Sequence, residues 1–375
     1  MSPESSRDAE AIELLAGLVA IPSPSGRERD ASAMLADWMR ARGLDASVDQ
    51  AGNAVGVRGT GDREILLLGH IDTFPGEVPV RREGELLYGR GSVDAKGPLC
   101  AFAAAAAAEE VPEDWRVTVV GAVEEEAATS RGARHILAPR LPGERPGPPE
   151  YCIIGEPSRW DRVTLGYRGR LVFDLTLRAP FAHSAGADRL PAERGVALWS
   201  AAERYCAEWN AAHGVRDSVF DALSASLRSI VTRDEGAFGT VRMSIGVRVP
   251  LAADPDQVQQ AIVTRLRADA AGDDVTLEAS TIGGEPAYRG GKSNPLVRTL
   301  LAEVRSLGGT PRFVVKTGTS DMNVVGPHWP RTPVVAYGPG DSALDHTPRE
   351  HLSLVEYLQA IAVLRGALRR LAQGG

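Results

Sequence analysis

Ile65-Leu66-Leu67-Leu68-Gly69-His70-Ile71-Asp72 is the stretch that decides the fold. Its run of aliphatic residues reads as a strand buried on both faces, the pattern of a parallel sheet flanked by helices. Polar residues begin where the run stops, and in open α/β sheets ligands gather beyond the carboxyl ends of strands. A histidine followed two positions later by an aspartate can supply a metal-binding imidazole and a carboxylate partner that orients it. Such a pair also arises by chance, so its weight depends on further ligands at other strand ends.

Further candidates stand at the ends of other apolar runs. Residues 117–123 form another apolar run, and it leads straight into Glu124-Glu125-Glu126. A glutamate run is ordinarily a solvated face, but here it sits at a strand end. Tyr151-Cys152-Ile153-Ile154 is a short buried strand that ends in Gly155-Glu156-Pro157. Asp94 lies just before Lys96-Gly97-Pro98, which reads as a helix start with proline in its first turn. His346 follows the buried stretch 333–337. His70, Asp94, Glu126, Glu156 and His346 thus offer imidazole nitrogen and carboxylate oxygen, the donors zinc accepts. Two metals need a shared carboxylate, and Asp94 is the natural bridge. Such a pair, about 3.5–4 Å apart, polarises a carbonyl and activates water, while a neighbouring carboxylate of the glutamate run serves as general base.

At 375 residues the chain exceeds one simple core, so two domains are expected. Apolar content of 43% and charged content of 24%, with strands alternating with helices, indicate a soluble α/β protein. Ile12, Leu15 and Val19 mark one face of a first helix, and Ser25 with Glu28 reads as a capping box for a second. Residues 46–58 read as a hairpin, and the proline- and glycine-rich stretch 139–149 as a surface loop. After Gly166 the pattern changes: Leu171, Phe173, Leu175 and Leu177 alternate with polar residues, as in an antiparallel strand with one wet face. A helix at about 190–210, a strand at about 239–249, a helix at about 255–269 and a strand at about 274–280 complete a small α+β insert. The expected division is a catalytic domain made of residues 1–167 and 284–375, interrupted by a lid at 168–283.

Net charge is −7 with no long basic run, which argues against nucleic acid as a partner. No apolar stretch reaches membrane-spanning length, and Met1-Ser2-Pro3-Glu4 has neither the basic nor the apolar region of a signal peptide. Cys100, Cys152 and Cys206 show no pairing pattern and suit buried positions in a reducing cytoplasm.

On these motifs the chain resembles the dinuclear zinc aminoacylase and carboxypeptidase family, which includes acetylornithine deacetylase, succinyl-diaminopimelate desuccinylase and carboxypeptidase G. Gly69-His70-Ile71-Asp72-Thr73 is similar to the family's first ligand motif, and Tyr88-Gly89-Arg90-Gly91-Ser92-Val93-Asp94-Ala95-Lys96-Gly97 to its bridging-aspartate motif. The family's acidic pair, base then ligand, falls on Glu125 and Glu126, with Glu124 leaving the register open by one residue. Gly155-Glu156-Pro157-Ser158 resembles the next ligand motif, and Gly338-Pro339-Gly340 with His346 and Glu350 the last. The resemblance implies a zinc-exopeptidase-like catalytic domain, its mixed, mostly parallel sheet covered by helices on both faces, with an inserted α+β lid that forms a homodimer. It also implies two Zn²⁺ per chain, replaceable by Co²⁺, with Asp72 orienting His70. His183, in Ala182-His183-Ser184, would stabilise the oxyanion in the partner subunit's site. Arg248 would hold a substrate carboxylate. In Lys316-Thr317-Gly318-Thr319-Ser320-Asp321-Met322-Asn323, Met322-Asn323 replace the desuccinylase's Gly-Arg, which argues against a succinylated substrate.

Within the family the motifs, Pro75-Gly76-Glu77-Val78-Pro79-Val80 among them, most resemble the lysine-biosynthesis branch. Those enzymes release lysine, sometimes ornithine, from the C-terminal glutamate of an amino-group carrier protein. Thr319 and Asp321 are then candidate substrate contacts, with Glu77 as an alternative acid for the side-chain amine. A deacetylase of N-acetyl-lysine or N-acetylornithine, a metallo-carboxypeptidase or dipeptidase, and a non-catalytic metal-binding partner protein are the alternative readings.

Overall fold

The computed structural model describes residues 3–127, 129–137, 147–183, 186 and 188–374. Arg63–His70 is a strand at the middle of the larger of two units, running parallel to Trp115–Ala122 on one side and Tyr151–Gly155 on the other. Ile65 and Leu67 point to one face, Leu66 and Leu68 to the other, and all four are fully buried. The strand is therefore covered on both sides, and each such side chain contributes about 1.5–3 kcal/mol by leaving water. Val334–Ala336 extends the parallel set beyond Tyr151–Gly155. At the opposite edge the hairpin Asp45–Val48 with Ala54–Arg58 joins antiparallel to Trp115–Ala122. The sheet is thus mixed and largely parallel, as the sequence implies.

Gly69, Gly121 and Gly155 face one another across the three central strands. A Cβ on Gly69 or Gly121 would press on Leu99, and one on Gly155 on Phe102. The absent side chains let the alanine-rich helix Lys96–Ala108 lie close against the strand ends. That approach brings Asp94, just before the helix, beside His70.

This unit comprises Met1–Gly166, Gly290–Val315 and Ser320–Gly375; the other comprises Tyr167–Arg289 and Lys316–Thr319. The chain returns to the larger unit six residues later than the expected 284, because strand Thr276–Glu285 is still paired within the insert. Residues 316–319 also belong with the insert, so the catalytic unit has three sequence segments rather than two.

The smaller unit is a four-stranded antiparallel sheet in the order Ser224–Glu235, Phe238–Val249, Gly169–Pro180, Thr276–Glu285. Leu171, Phe173, Leu175 and Leu177 pack with Val241, Met243 and Ile245 against Leu198 and Ala202 of helix Pro191–Ala212 and Ile262 of helix Pro255–Asp269. The strand Ser224–Glu235 was not expected from sequence. It lies at the sheet edge with most side chains exposed, so it lacks the apolar alternation that reveals the other strands.

The expected capping box is absent: Glu28 precedes helix Arg29–Arg40 but makes no side-chain cap. Its carboxylate accepts from Gly26 N and Glu124 N, and the Ser25 hydroxyl donates to Asp72. Most of the expected loop 139–149 lies outside the described residues. Cys100, Cys152 and Cys206 are buried and form no disulfide. Among the described residues, no helix is long and apolar enough to cross a membrane.

Candidate metal centre

Three adjacent strand ends deliver the acidic and imidazole groups. His70 closes its strand opposite Ala122, so the chain leaving Trp115–Ala122 presents residues 124–126 beside it. Glu156 directly follows Tyr151–Gly155 on the other side. His346 comes from the loop after the short turn Ser342–Leu344, and its φ of 59° places it in the left-handed region.

Asp94 lies between the two histidines. Its Oδ1 is 3.2 Å from His70 Nε2 and its Oδ2 is 3.1 Å from His346 Nε2. Glu126 Oε1 lies 3.0 Å from the same His346 nitrogen. Donor atoms of His70, Asp94 and Glu156 fall within 4.8 Å of one another, as do those of Asp94, Glu126 and His346. Two triads therefore share Asp94.

The donor set fits divalent cations. His70 Nδ1 is 3.0 Å from the Asp72 carbonyl, and with its proton donated there, Nε2 turns a lone pair toward Asp94. A lone pair facing a carboxylate oxygen needs a positive charge between them. His346 Nε2 faces two carboxylates, which one N–H serves only as a shared and weakened donor. The titration tendencies agree. Burial works against a charged His70, yet its contacts with Asp72 and Asp94 raise its pKa well above the ordinary value. Hydrogen bonds to Asp94 and Glu126 push His346 up to about 10. Burial, then the charges of Glu125 and Asp94, drives Glu156 well above the usual carboxylate range. Burial would raise Asp94 too, but His346 and His70 hold it below that range. Imidazole nitrogen and carboxylate oxygen are the ligands that zinc takes.

The glutamate run resolves into distinct environments. Glu124 has a φ of 61°, and its carboxylate turns away to Arg131 at 2.8 Å and Thr129 at 2.9 Å. Glu126 reaches His346. Glu125 is buried and belongs to neither triad. The backbone here is held by Asp72, whose Oδ1 accepts from Glu125 N at 3.1 Å and Oδ2 from Glu126 N at 3.0 Å. Asp72 thus anchors both His70 and the acidic loop. Glu350, fully buried, does the same for the bridging side: it accepts from Val93 N at 3.0 Å, Asp94 N at 3.2 Å and Arg90 Nη1 at 2.7 Å.

Sequence reasoning missed Ser25, Glu28 and Phe74. Ser25 donates to Asp72 Oδ2 at 2.7 Å, and Glu28 accepts from Glu124 N at 3.2 Å. Phe74 stacks on His346 with ring centroids 4.2 Å apart. Ser25 and Glu28 carried a visible signal, but their spacing was also that of a helix cap.

The remaining candidates divide between the units. In the smaller unit, Arg248 Nη1 donates to Thr319 Oγ1 at 2.7 Å, and Thr319 donates on to the Arg168 carbonyl at 2.8 Å. Arg168 is buried and donates to the Arg248 carbonyl at 3.1 Å, so the three residues form one frame. His183 is exposed between strand Gly169–Pro180 and helix Pro191–Ala212, and the adjacent Ser184 lies outside the described residues. In the larger unit, Asp321 is buried at the start of helix Asp321–Val325, and Glu77 is exposed.

Residues 66–370 match the family described as Peptidase family M20/M25/M40; the chain belongs to that family and is a hydrolase. More particularly, it is similar to the LysW-lysine hydrolase of Deinococcus radiodurans, with 45% identity over 371 residues that cover 98% of this chain and 99% of that one. Human carnosine dipeptidase 1 superposes with a TM-score of 0.74 at 16% identity, covering 99% of this chain and 98% of that one. An M20 family metallo-carboxypeptidase of Sulfolobus solfataricus also gives 0.74 at 16% identity, covering 97% of this chain and 99% of that one. These two structures bear on the fold, which they share with the chain as a zinc-exopeptidase-like architecture.

Proposed function

We propose that the protein hydrolyses the amide joining lysine, or ornithine, to the C-terminal glutamate of an amino-group carrier protein, the last step of lysine biosynthesis through aminoadipate. The observation that carries the chemistry is the sharing of Asp94 between two histidine–carboxylate triads. The carrier substrate rests on the full-length similarity to a LysW-lysine hydrolase.

Two Zn²⁺, or Co²⁺ in their place, would be held by His70, Asp94 and Glu156 on one side and Asp94, Glu126 and His346 on the other. When bound they supply Lewis acidity to the amide carbonyl and acidify water. Glu125 takes a proton from the attacking water and passes it to the α-amine as the C–N bond breaks. Its burial and the reach of its charge to His70 and Glu156, with Glu124 turned to Arg131, support Glu125 over Glu124 in that role. Asp72 holds the Glu125 amide in place while orienting His70.

Arg248, with Thr319 beside it, would grip the released amino acid's carboxylate, because a guanidinium fork matches a carboxylate. Asp321 is the candidate for the side-chain amine. On the family resemblance, His183 would stabilise the oxyanion in a homodimer formed through the inserted unit. Three buried cysteines that form no disulfide support a cytoplasmic location.

Purified enzyme given carrier-linked lysine, carrier-linked ornithine and N-acetyl-lysine tests the reading. Contacts remote from the scissile bond lower the barrier for the true substrate, so kcat/KM should be highest for a carrier adduct. A clear preference for N-acetyl-lysine would replace this reading with a deacetylase.

A further inference from the structure

The segment 21–28 runs as a strap along the residues that carry His70 and Asp72, and it meets the acidic loop. Pro24 forms a parallel bridge with Thr73, Thr73 N donates to the Ser23 carbonyl at 2.9 Å, and Ser23 Oγ donates to the Ile71 carbonyl at 2.8 Å. The strap thus lies alongside the residues that carry His70 and Asp72. Upstream, the buried Lys96 donates to the carbonyls of Leu18 and Ile21 at 3.0 and 2.6 Å, tying the strap to the helix behind Asp94.

Its far end meets the acidic loop. Glu28 Oε1 accepts from Gly26 N at 2.8 Å and from Glu124 N at 3.2 Å. Asp72 takes the next two amides, Glu125 N and Glu126 N, and Ser25 holds Asp72 Oδ2. Three consecutive backbone N–H groups therefore donate to two carboxylates, one on the strap and one braced by it. A loop bent through a left-handed residue at Glu124 would otherwise relax, since that conformation is costly for a side chain other than glycine. Charge-assisted bonds to consecutive amides fix its backbone in the bent form.

We propose that Ser25 and Glu28 are positioning residues for turnover: they hold the backbone of residues 124–126 so that Glu125 stays aligned on its water. The inference rests on the reading of Glu125 as the general base. Glu28 and Ser25 touch no donor atom of either triad, and the Glu126 carboxylate is held separately by His346, so their loss should misplace the base more than the ligand.

The test compares Glu28→Ala, Glu28→Gln, Ser25→Ala, Ser25→Thr and Glu125→Gln as full chains loaded with zinc, assayed on carrier-linked lysine, with zinc content measured on each. Small misplacements of a reacting group cost up to about 100-fold. Glu28→Ala and Ser25→Ala should each lose about 10–100-fold in kcat with KM and zinc content unchanged. Glu28→Gln keeps an acceptor oxygen and Ser25→Thr keeps a hydroxyl, so both should recover most of the lost turnover. Should Glu28→Ala fail to fold, the two Ser25 variants carry the same comparison. Wild-type kcat in both alanine variants while Glu125→Gln is nearly inactive overturns the strap's role and leaves the base in place. Loss of zinc in the alanine variants, with turnover restored by added zinc, also overturns it. Full activity of Glu125→Gln removes the base assignment and the positioning role together.

Discussion

Asp72→Asn is the substitution with the most calculable consequence. Asp72 is fully buried, and its oxygens accept from Glu125 N, Glu126 N and Ser25 Oγ. The change preserves shape but turns one oxygen into an NH₂. Whichever way the amide is flipped, that NH₂ meets a backbone N–H, either of Glu125 or of Glu126. The Ser25 hydroxyl can rotate to accept; the backbone amide cannot. One buried N–H is then unsatisfied, at about 1–3 kcal/mol, and the surviving bond to the other amide loses its charge assistance, at roughly 1 kcal/mol more. The sum, about 2–4 kcal/mol, falls on the conformation that presents Glu125 and Glu126. At about 1.4 kcal/mol per tenfold, turnover should drop by roughly 30- to 1,000-fold. Steady-state kinetics with metal content measured in parallel reads this out. A wild-type kcat in Asp72→Asn with both metals bound would refute the idea that these hydrogen bonds set the geometry of the acidic loop.

Glu125→Gln should keep its full complement of metal and lose about 10²–10⁴-fold in kcat; the same phenotype in Glu124→Gln, with metal lost from Glu125→Gln, would shift the register by one. Arg248→Lys removes the guanidinium fork beside Thr319, and about one charged hydrogen bond with it, so kcat/KM on carrier-linked lysine should fall about 10–100-fold, chiefly through KM. Burial pushes the Cys206 thiol up from 9.0 to about 11. The folded value lies above the unfolded one, so its contribution is intact below pH 9 and declines as pH rises toward 11, by about 3 kcal/mol in all. Urea unfolding of the wild type and Cys206→Ala across that range checks this, with the variant expected to show the shallower decline.

The candidate cluster was legible because most of its members break a local rule. His70, Glu126 and Glu156 are polar groups set directly after apolar runs, and the sheet's parallel register brings those ends together. Asp94 was legible from the helix start that follows it. The supports were less visible, because their chemistry imitates ordinary structure. Ser25 and Glu28 have the spacing of a capping box, and only the fold aims them at Asp72 and Glu124 rather than at the helix. The triple glutamate was ambiguous because sequence carries no dihedral angles; the left-handed turn at Glu124 separates its carboxylate from the other two. In the insert, strands with a buried face announced themselves by alternation. The edge strand Ser224–Glu235, exposed over most of its length, did not. Residues 316–319 join the insert because Thr319 bonds Arg168 and Arg248, a contact of residues distant in sequence that no local pattern encodes.

The central claim is that Asp94 serves two metals at once, and metal titration tests it most directly. Metal-free protein should be inactive on carrier-linked lysine. Added Zn²⁺ or Co²⁺ should restore activity as a second equivalent per chain binds, and Asp94→Asn should weaken both sites together. Full activity in the metal-free protein, or saturation of activity at one equivalent with Asp94→Asn losing a single site, would contradict the account.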